Sequence, residues 1–340
     1  MQTCLKRSRA KSFGGGRLLR SLLVLGCAIA AIDGAVASTR LVSLVFASSL
    51  NNPQRVGGDT LRKAVLTGAE GRLAVDIRGS SNMLGSENMV LAATQSGSVN
   101  VAVLSGSVVS SAVPELGIFD IPFLFRDAAH ARAVAEGTAG ASIAAKFADK
   151  GLVLLAIGKQ GFRNITNSER PIRTPADLKG LKIRVIPNEI YQMTFKALGA
   201  EVVPMEFPLV YAALKDGRIQ GQENPVDNIV ANHIYEVQKY LSMTGHFFAP
   251  VVFIANRDFF QSLDPADQAA LRATAKAGAD ATWQSGADLE AKSLETVRNS
   301  GMQVVEQVDR QPFIDAVKPL EPEFEKRFGK ELLSAVRAAR

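Results

Sequence analysis

The chain has 340 residues, 47% of them apolar, and carries 39 basic against 33 acidic side chains for a formal net charge of +6. The excess sits in the first 37 residues, which hold Lys6, Arg7, Arg9, Lys11, Arg17 and Arg20 but only Asp33, so residues 38–340 carry 33 basic and 32 acidic side chains. That near balance argues against a nucleic-acid or anionic-membrane partner. Both cysteines, Cys4 and Cys27, fall in the same leading stretch, so the remainder has no disulfide, thiolate metal ligand or cysteine nucleophile.

The basic opening runs into an apolar stretch over residues 22–32, too short to span a bilayer, and then into Ala35-Val36-Ala37. Charged region, apolar core and small-residue site in that order read as a secretory signal peptide cleaved before Ser38. A lipoprotein signal at Cys27, preceded by Gly26, is the rival, but Leu25 fits that box poorly. No later segment has the unbroken apolar length of a membrane-crossing helix, and the mature chain is expected to be soluble. About 300 residues suffice for a large core, commonly split into two domains.

Residues 41–48 predict a short apolar strand, followed by Asn51-Asn52-Pro53 and a helical pattern through Leu61, Val65 and Leu66. A strand over 73–77, a helix over 87–95 and an apolar run over 99–104 come next. This alternation predicts an α/β fold with much parallel sheet. Residues 114–125 are apolar but interrupted by prolines, which suits core packing or, alternatively, a wall beside a cleft. Thr174-Pro175-Ala176-Asp177 reads as a helix start, and Gly180 as its stop. A strand over 181–186, a helix through Tyr191, Phe195 and Leu198 closed by Gly199, a strand over 201–203 and a helix from Pro208 to Gly217 complete a second alternating series. From Asp264-Pro265 a helical pattern continues to about Arg298. It would span about 50 Å, long enough to bridge two lobes, unless Gly278 and Gly286 bend or break it.

Catalytic motifs are absent: there is no G-x-S-x-G, P-loop or H-E-x-x-H pattern. His130, His233 and His246 have no metal or triad spacing and are expected at the surface or in caps. Polar residues at the edges of apolar strands stand out instead: Arg163, Arg184, and Gln222-Glu223-Asn224-Pro225. Lys182 and Arg184 share one strand face while Ile183 and Val185 take the other. Either both charges are solvated, or the Arg184 guanidinium faces a cleft where its planar fork could hold a carboxylate.

The segments 161–167, 174–185, 195–200, 221–225 and Tyr235-Glu236-Val237-Gln238-Lys239-Tyr240 together resemble the DctP-type solute-binding proteins of TRAP (tripartite ATP-independent periplasmic) transporters, over most of the mature chain. The resemblance implies a periplasmic protein of two α/β lobes, with mixed and mostly parallel sheets, bridged by the long late helix. Lobe I is expected to comprise residues 38–160 plus 250–285, and lobe II residues 161–249 plus 286–340. Arg184 then takes the role of carboxylate clamp, Arg163 that of a second cleft arginine, Asn224 that of a ligand-contacting asparagine and Phe207 that of a cleft aromatic. Asn188 is placed to meet ligand hydroxyls, with a turn or cap role as its alternative. Ser105, with Gly106 and Ser107, offers hydroxyls in the first lobe, and Ser48 and Ser49 are candidates there whose alternative is structural. Gln220 replaces an aspartate frequent in the family, and Glu206 and Pro208 lie in a stretch usually less charged and less rigid.

The implied function is capture of a small organic carboxylate, a sugar acid in preference, by lobe closure for sodium-coupled uptake through the TRAP membrane subunits. The alternatives are a C4-dicarboxylate binder, a carboxylate sensor subunit or a periplasmic enzyme. Neither cofactor nor metal is called for, and a monomer is expected.

Overall fold

The computed structural model describes residues 39–46, 52–80 and 85–340; residues 1–38, with the expected signal peptide and cleavage point, and Ser48 and Ser49 lie outside them. Among the described residues nine strands form one sheet: β1 (Arg40–Phe46), β2 (Leu73–Ser80), β3 (Val101–Ser105), β4 (Leu152–Asn167), β5 (Lys182–Val185), β6 (Glu201–Pro204), β7 (Gly221–Asn224), β8 (Tyr240–Asn256) and β9 (Gln303–Val305). Their order is β2-β1-β3-β8-β4-β7-β5-β6, with β9 beside β8. The β1, β2 and β3 neighbours pair in parallel, as do β5, β6 and β7, while β3–β8, β8–β4 and β4–β7 are antiparallel. Parallel strands are covered on both faces, which is why β3 reads as an unbroken apolar run and is buried along its whole length.

The helices that frame the cleft start where the sequence supplies an acceptor. The Asn52 carboxamide takes the Arg55 amide at 3.0 Å before α1 (Pro53–Gly68), and Ser86 takes that of Met89 at 3.3 Å before α2 (Glu87–Gln95). Asn188 accepts the Ile190 amide at 2.8 Å to open α3 (Glu189–Ala197). A shorter helix, α4 (Val226–Ala231), follows β7. Asp264 caps α5 (Pro265–Asn299) through the Asp267 amide at 2.8 Å, with Pro265 at the first helical position.

The 16-residue β4 and 17-residue β8 organise the molecule. One end of their antiparallel ladder extends through β3 to β1 and β2; the other extends through β7 to β5 and β6. Near its middle the register slips between Lys159 and Gly161, opposite Pro250, which cannot donate to the ladder. Gly161 there adopts a φ of +136°, a backbone region that disfavours any Cβ. Neither long strand is among the elements predicted from sequence, because polar residues over 159–164 and 244–246 interrupt the apolar pattern where the strands pass from one half of the molecule to the other.

The bridging helix is continuous for 35 residues. It packs on α1 at one end, on α4 towards the other, and along β4 between them. Its glycines serve close approach. A Cβ on Gly278 would stand 2.7 Å from the Gly57 carbonyl oxygen of α1 and 2.9 Å from the Phe253 ring.

Several local expectations change. The start at Thr174-Pro175 leads only to a 3-10 turn, Pro175–Leu178, and the helix expected from Pro208 is another such turn, Phe207–Leu209, followed by a helix over Val210–Lys215. Residues 114–125 are core: Phe119 and Phe125 are buried and stack with centroids 5.2 Å apart. Only His233 of the three histidines is exposed. His130 is buried with Nε2 2.7 Å from the Val336 carbonyl oxygen, and His246 is buried without any exposure.

The helix contact gives a stability test. Gly278→Val should destabilise the protein by about 1–3 kcal/mol through overpacking against Gly57 and Phe253. Gly68→Ala, whose added methyl would meet Thr274 at an ordinary 3.5 Å, should change stability little. Urea unfolding of both variants separates the two outcomes.

Candidate ligand-binding cleft

Alternation alone does not set the environment of β5. Lys182 is exposed, whereas Arg184 on the same face is 2% exposed and lines a cleft. Arg184 Nε donates to the Met205 carbonyl oxygen at 2.8 Å and the guanidinium lies 5.5 Å from the Phe207 ring centroid. Among the described residues no carboxylate forms an ion pair with it. Burial pushes its pKa down to about 10, Glu223 opposing the shift and Arg163 adding to it.

Arg163 on β4 is in the opposite condition. Its Nε donates to Glu223 Oε2 at 2.5 Å and its Nη2 to Glu223 Oε1 at 2.8 Å, a bidentate pair in which both side chains are buried. Nη2 also reaches the Glu223 carbonyl oxygen at 2.7 Å and Asn224 Oδ1 at 3.1 Å. His246 Nε2 stands 3.2 Å from Glu223 Oε2, and its Nδ1 stands 2.7 Å from Thr244 Oγ1. Burial alone would raise the Glu223 pKa, but Arg163 and His246 outweigh it and hold the group below the ordinary carboxylate range. Burial lowers the His246 pKa, so the neutral ring donates to Glu223 and accepts from Thr244.

One cleft brings together Arg163, Arg184, Phe207, Asn224 and Ser105 among the residues singled out in the sequence. Asn224 spends its carboxamide within the wall: Oδ1 accepts from Arg163 and from Asn228 Nδ2 at 3.0 Å, and Nδ2 donates to Gln222 at 2.5 Å. Ser105 ends β3, with its amide on Glu87 Oε2 at 2.8 Å and its hydroxyl 3.0 Å from both Glu87 Oε1 and Gln54 Nε2. Ser48 lies outside the described residues.

Gln54, Glu87 and Asn228 also line the cleft and are not among the sequence candidates. The first two sit in the opening turns of α1 and α2, directly after a capping Asn52 or Ser86, the one local signal that could have drawn attention to them. Burial raises the Glu87 pKa against its bonds to Ser105 and Gln54. Glu206, noted in the sequence only as unusual, crosses the opening: Asn88 Nδ2 of α2 donates to its Oε1 at 2.7 Å.

Asn188 does not line this cleft. Its Oδ1 caps α3, and its Nδ2 donates at 3.0 Å to the Ser107 carbonyl oxygen, Ser110 Oγ and Asp120 Oδ2. Asp120 is fully buried, its Oδ1 has no hydrogen-bond partner, and burial pushes its pKa up to about 7. The folded chain therefore holds this proton more tightly than the unfolded chain does. Its contribution to stability is greatest at low pH and is lost as pH rises from about 4 towards 7. Asp120→Asn should remove that loss, gaining about 1–3 kcal/mol over the wild type at pH 8 and much less at pH 4. Thermal unfolding of both proteins across that range checks it, and a pH-independent difference would contradict it.

The DctP family model, described as bacterial extracellular solute-binding protein, family 7, matches residues 46–327. The solved TRAP periplasmic solute binding protein of Polaromonas sp. JS666, bound to D-erythronate, aligns with a TM-score of 0.85 at 36% identity over 88% of this chain and 99% of that chain. Another from Bordetella bronchiseptica, with density assigned as pantoate, gives 0.85 at 37% identity over 89% and 100%. The 2,3-diketo-L-gulonate-binding periplasmic protein YiaO of Escherichia coli K12 is 31% identical over 80% of this chain and 83% of its own. The fold is that of the two-lobed TRAP periplasmic binding proteins, and the chain belongs to the DctP family of bacterial extracellular solute-binding proteins.

Proposed function

We propose that the protein captures a small organic carboxylate, a sugar acid in preference to a C4-dicarboxylate, and presents it to the membrane subunits of a TRAP transporter. The observation that carries this reading is the buried guanidinium of Arg184, which lines the cleft and forms no ion pair among the described residues. A buried guanidinium with no carboxylate bonded to it can receive an anion, and a carboxylate answers both its charge and its planar geometry. Ser105, Gln54 and Asn228 around it supply hydrogen-bonding partners for hydroxyls. The relatives that carry D-erythronate and pantoate are consistent with a hydroxylated monocarboxylate.

In this reading residues 38–160 plus 250–285 form one lobe, and 161–249 plus 286–340 the other. Closure over the ligand is driven by contacts made only in the closed state. The protein acts as a monomer after export and removal of residues 1–37, and releases its ligand chemically unchanged. Support for a binding role over an enzymatic one comes from His246, which is fully buried and does not line the cleft.

Arg184→Met should weaken carboxylate binding by at least about 30-fold, equivalent to roughly 2–5 kcal/mol. The same variant should raise the stability of the ligand-free protein, because it removes a buried charge without a counterion. Calorimetric titration with a sugar-acid panel and ligand-free melting curves read the two effects separately. Undiminished affinity in a folded variant would overturn the assignment of Arg184.

A further inference from the structure

The charges in the cleft do not sum in favour of a second anion. Arg163 is committed to Glu223 through two hydrogen bonds, leaving Arg184 as the cation available to a ligand. Two further carboxylates line the same cleft, and among the described residues neither forms an ion pair with a cation. Glu87 is tied to Ser105 and Gln54. Glu206 follows Met205, whose carbonyl holds Arg184, and its Oε1 is bonded by Asn88 from the facing wall.

A hydroxyl brought near these carboxylates donates to them. A carboxylate has only acceptor lone pairs to offer and adds a like charge. We infer that Glu206 makes this cleft selective for hydroxylated monocarboxylates against the dicarboxylates that match them in every other atom, and that the Asn88 bond holds Glu206 in place. The inference rests on the reading of Arg184 as the carboxylate clamp and names the class of ligand that the clamp admits.

Three matched pairs test it: D-erythronate with meso-tartrate, D-galactonate with galactarate, and D-gluconate with D-glucarate. The members of a pair differ only in a terminal hydroxymethyl or carboxylate group. Titration calorimetry on the full mature protein should show, for the monoacid that binds most tightly, a preference over its diacid of at least about 30-fold. Glu206→Gln keeps an oxygen acceptor for Asn88 while removing the charge, and should narrow that preference at least fivefold, mainly by gain of diacid binding. Glu206→Ser provides an independent measure of the same ratio if the glutamine variant folds poorly.

A smaller narrowing in a variant that still binds the monoacid would overturn the role of Glu206 and leave the Arg184 reading intact. A wild type that binds the diacid as tightly as the monoacid would do the same. Failure of the wild type to bind any monoacid of the three would remove the sugar-acid reading and this inference together.

Discussion

Two buried guanidinium groups share one cleft, and the difference between them governs the site. Arg163 lies flat against Glu223, and Glu223 is in turn held by His246, so neither charge is free to swing. Were Glu223 to turn to Arg184, the cleft would neutralise itself and have no use for an anion. Because a desolvated cation is costly unless paired, Arg184, which lines the cleft without a bonded carboxylate, is the group to which an entering anion can bind. The Arg163–Glu223 pair is thus a structural member, joining β4 to β7, that keeps Glu223 from pairing with Arg184.

Other buried acids show how much polar material the interior tolerates. Asp120 ties the segment after β3 to the start of α3 through Asn188. Asp227, at the start of α4, is also raised to about 7 by burial, with one oxygen unpartnered, and lies in the field of Glu290 and Lys159 beneath the bridging helix.

Much of the fold was legible from local signals. The caps Asn52, Ser86, Asn188 and Asp264 sit at true helix starts, and the apolar run of β3 is a covered strand. What remained illegible was non-local. The crossing strands β4 and β8 are the longest among the described residues, yet their polar centres disguise them, since Lys159 and His246 each take a carboxylate partner far away in sequence, Glu290 and Glu223. The same reason explains the site. Arg184 could be proposed from a charge in an apolar strand, but strand periodicity could not distinguish a solvated face from a cleft. Nothing in the sequence announced that Glu223 would occupy Arg163, or that Asn88 would meet Glu206 118 residues further on. Asn188 was read in two ways, and the side chain's bonds go to a cap and to Asp120.

The ladder between β4 and β8 has a consequence for how such proteins diversify. Each half of the molecule draws central strands from the same two chain segments, which pair along most of their length. Neither half is a module that could be excised, grown alone or traded for the corresponding half of a relative without tearing that ladder. New ligand preferences on this scaffold must therefore arise by changing individual side chains along the walls, as the acid at position 206 illustrates, and not by shuffling lobes.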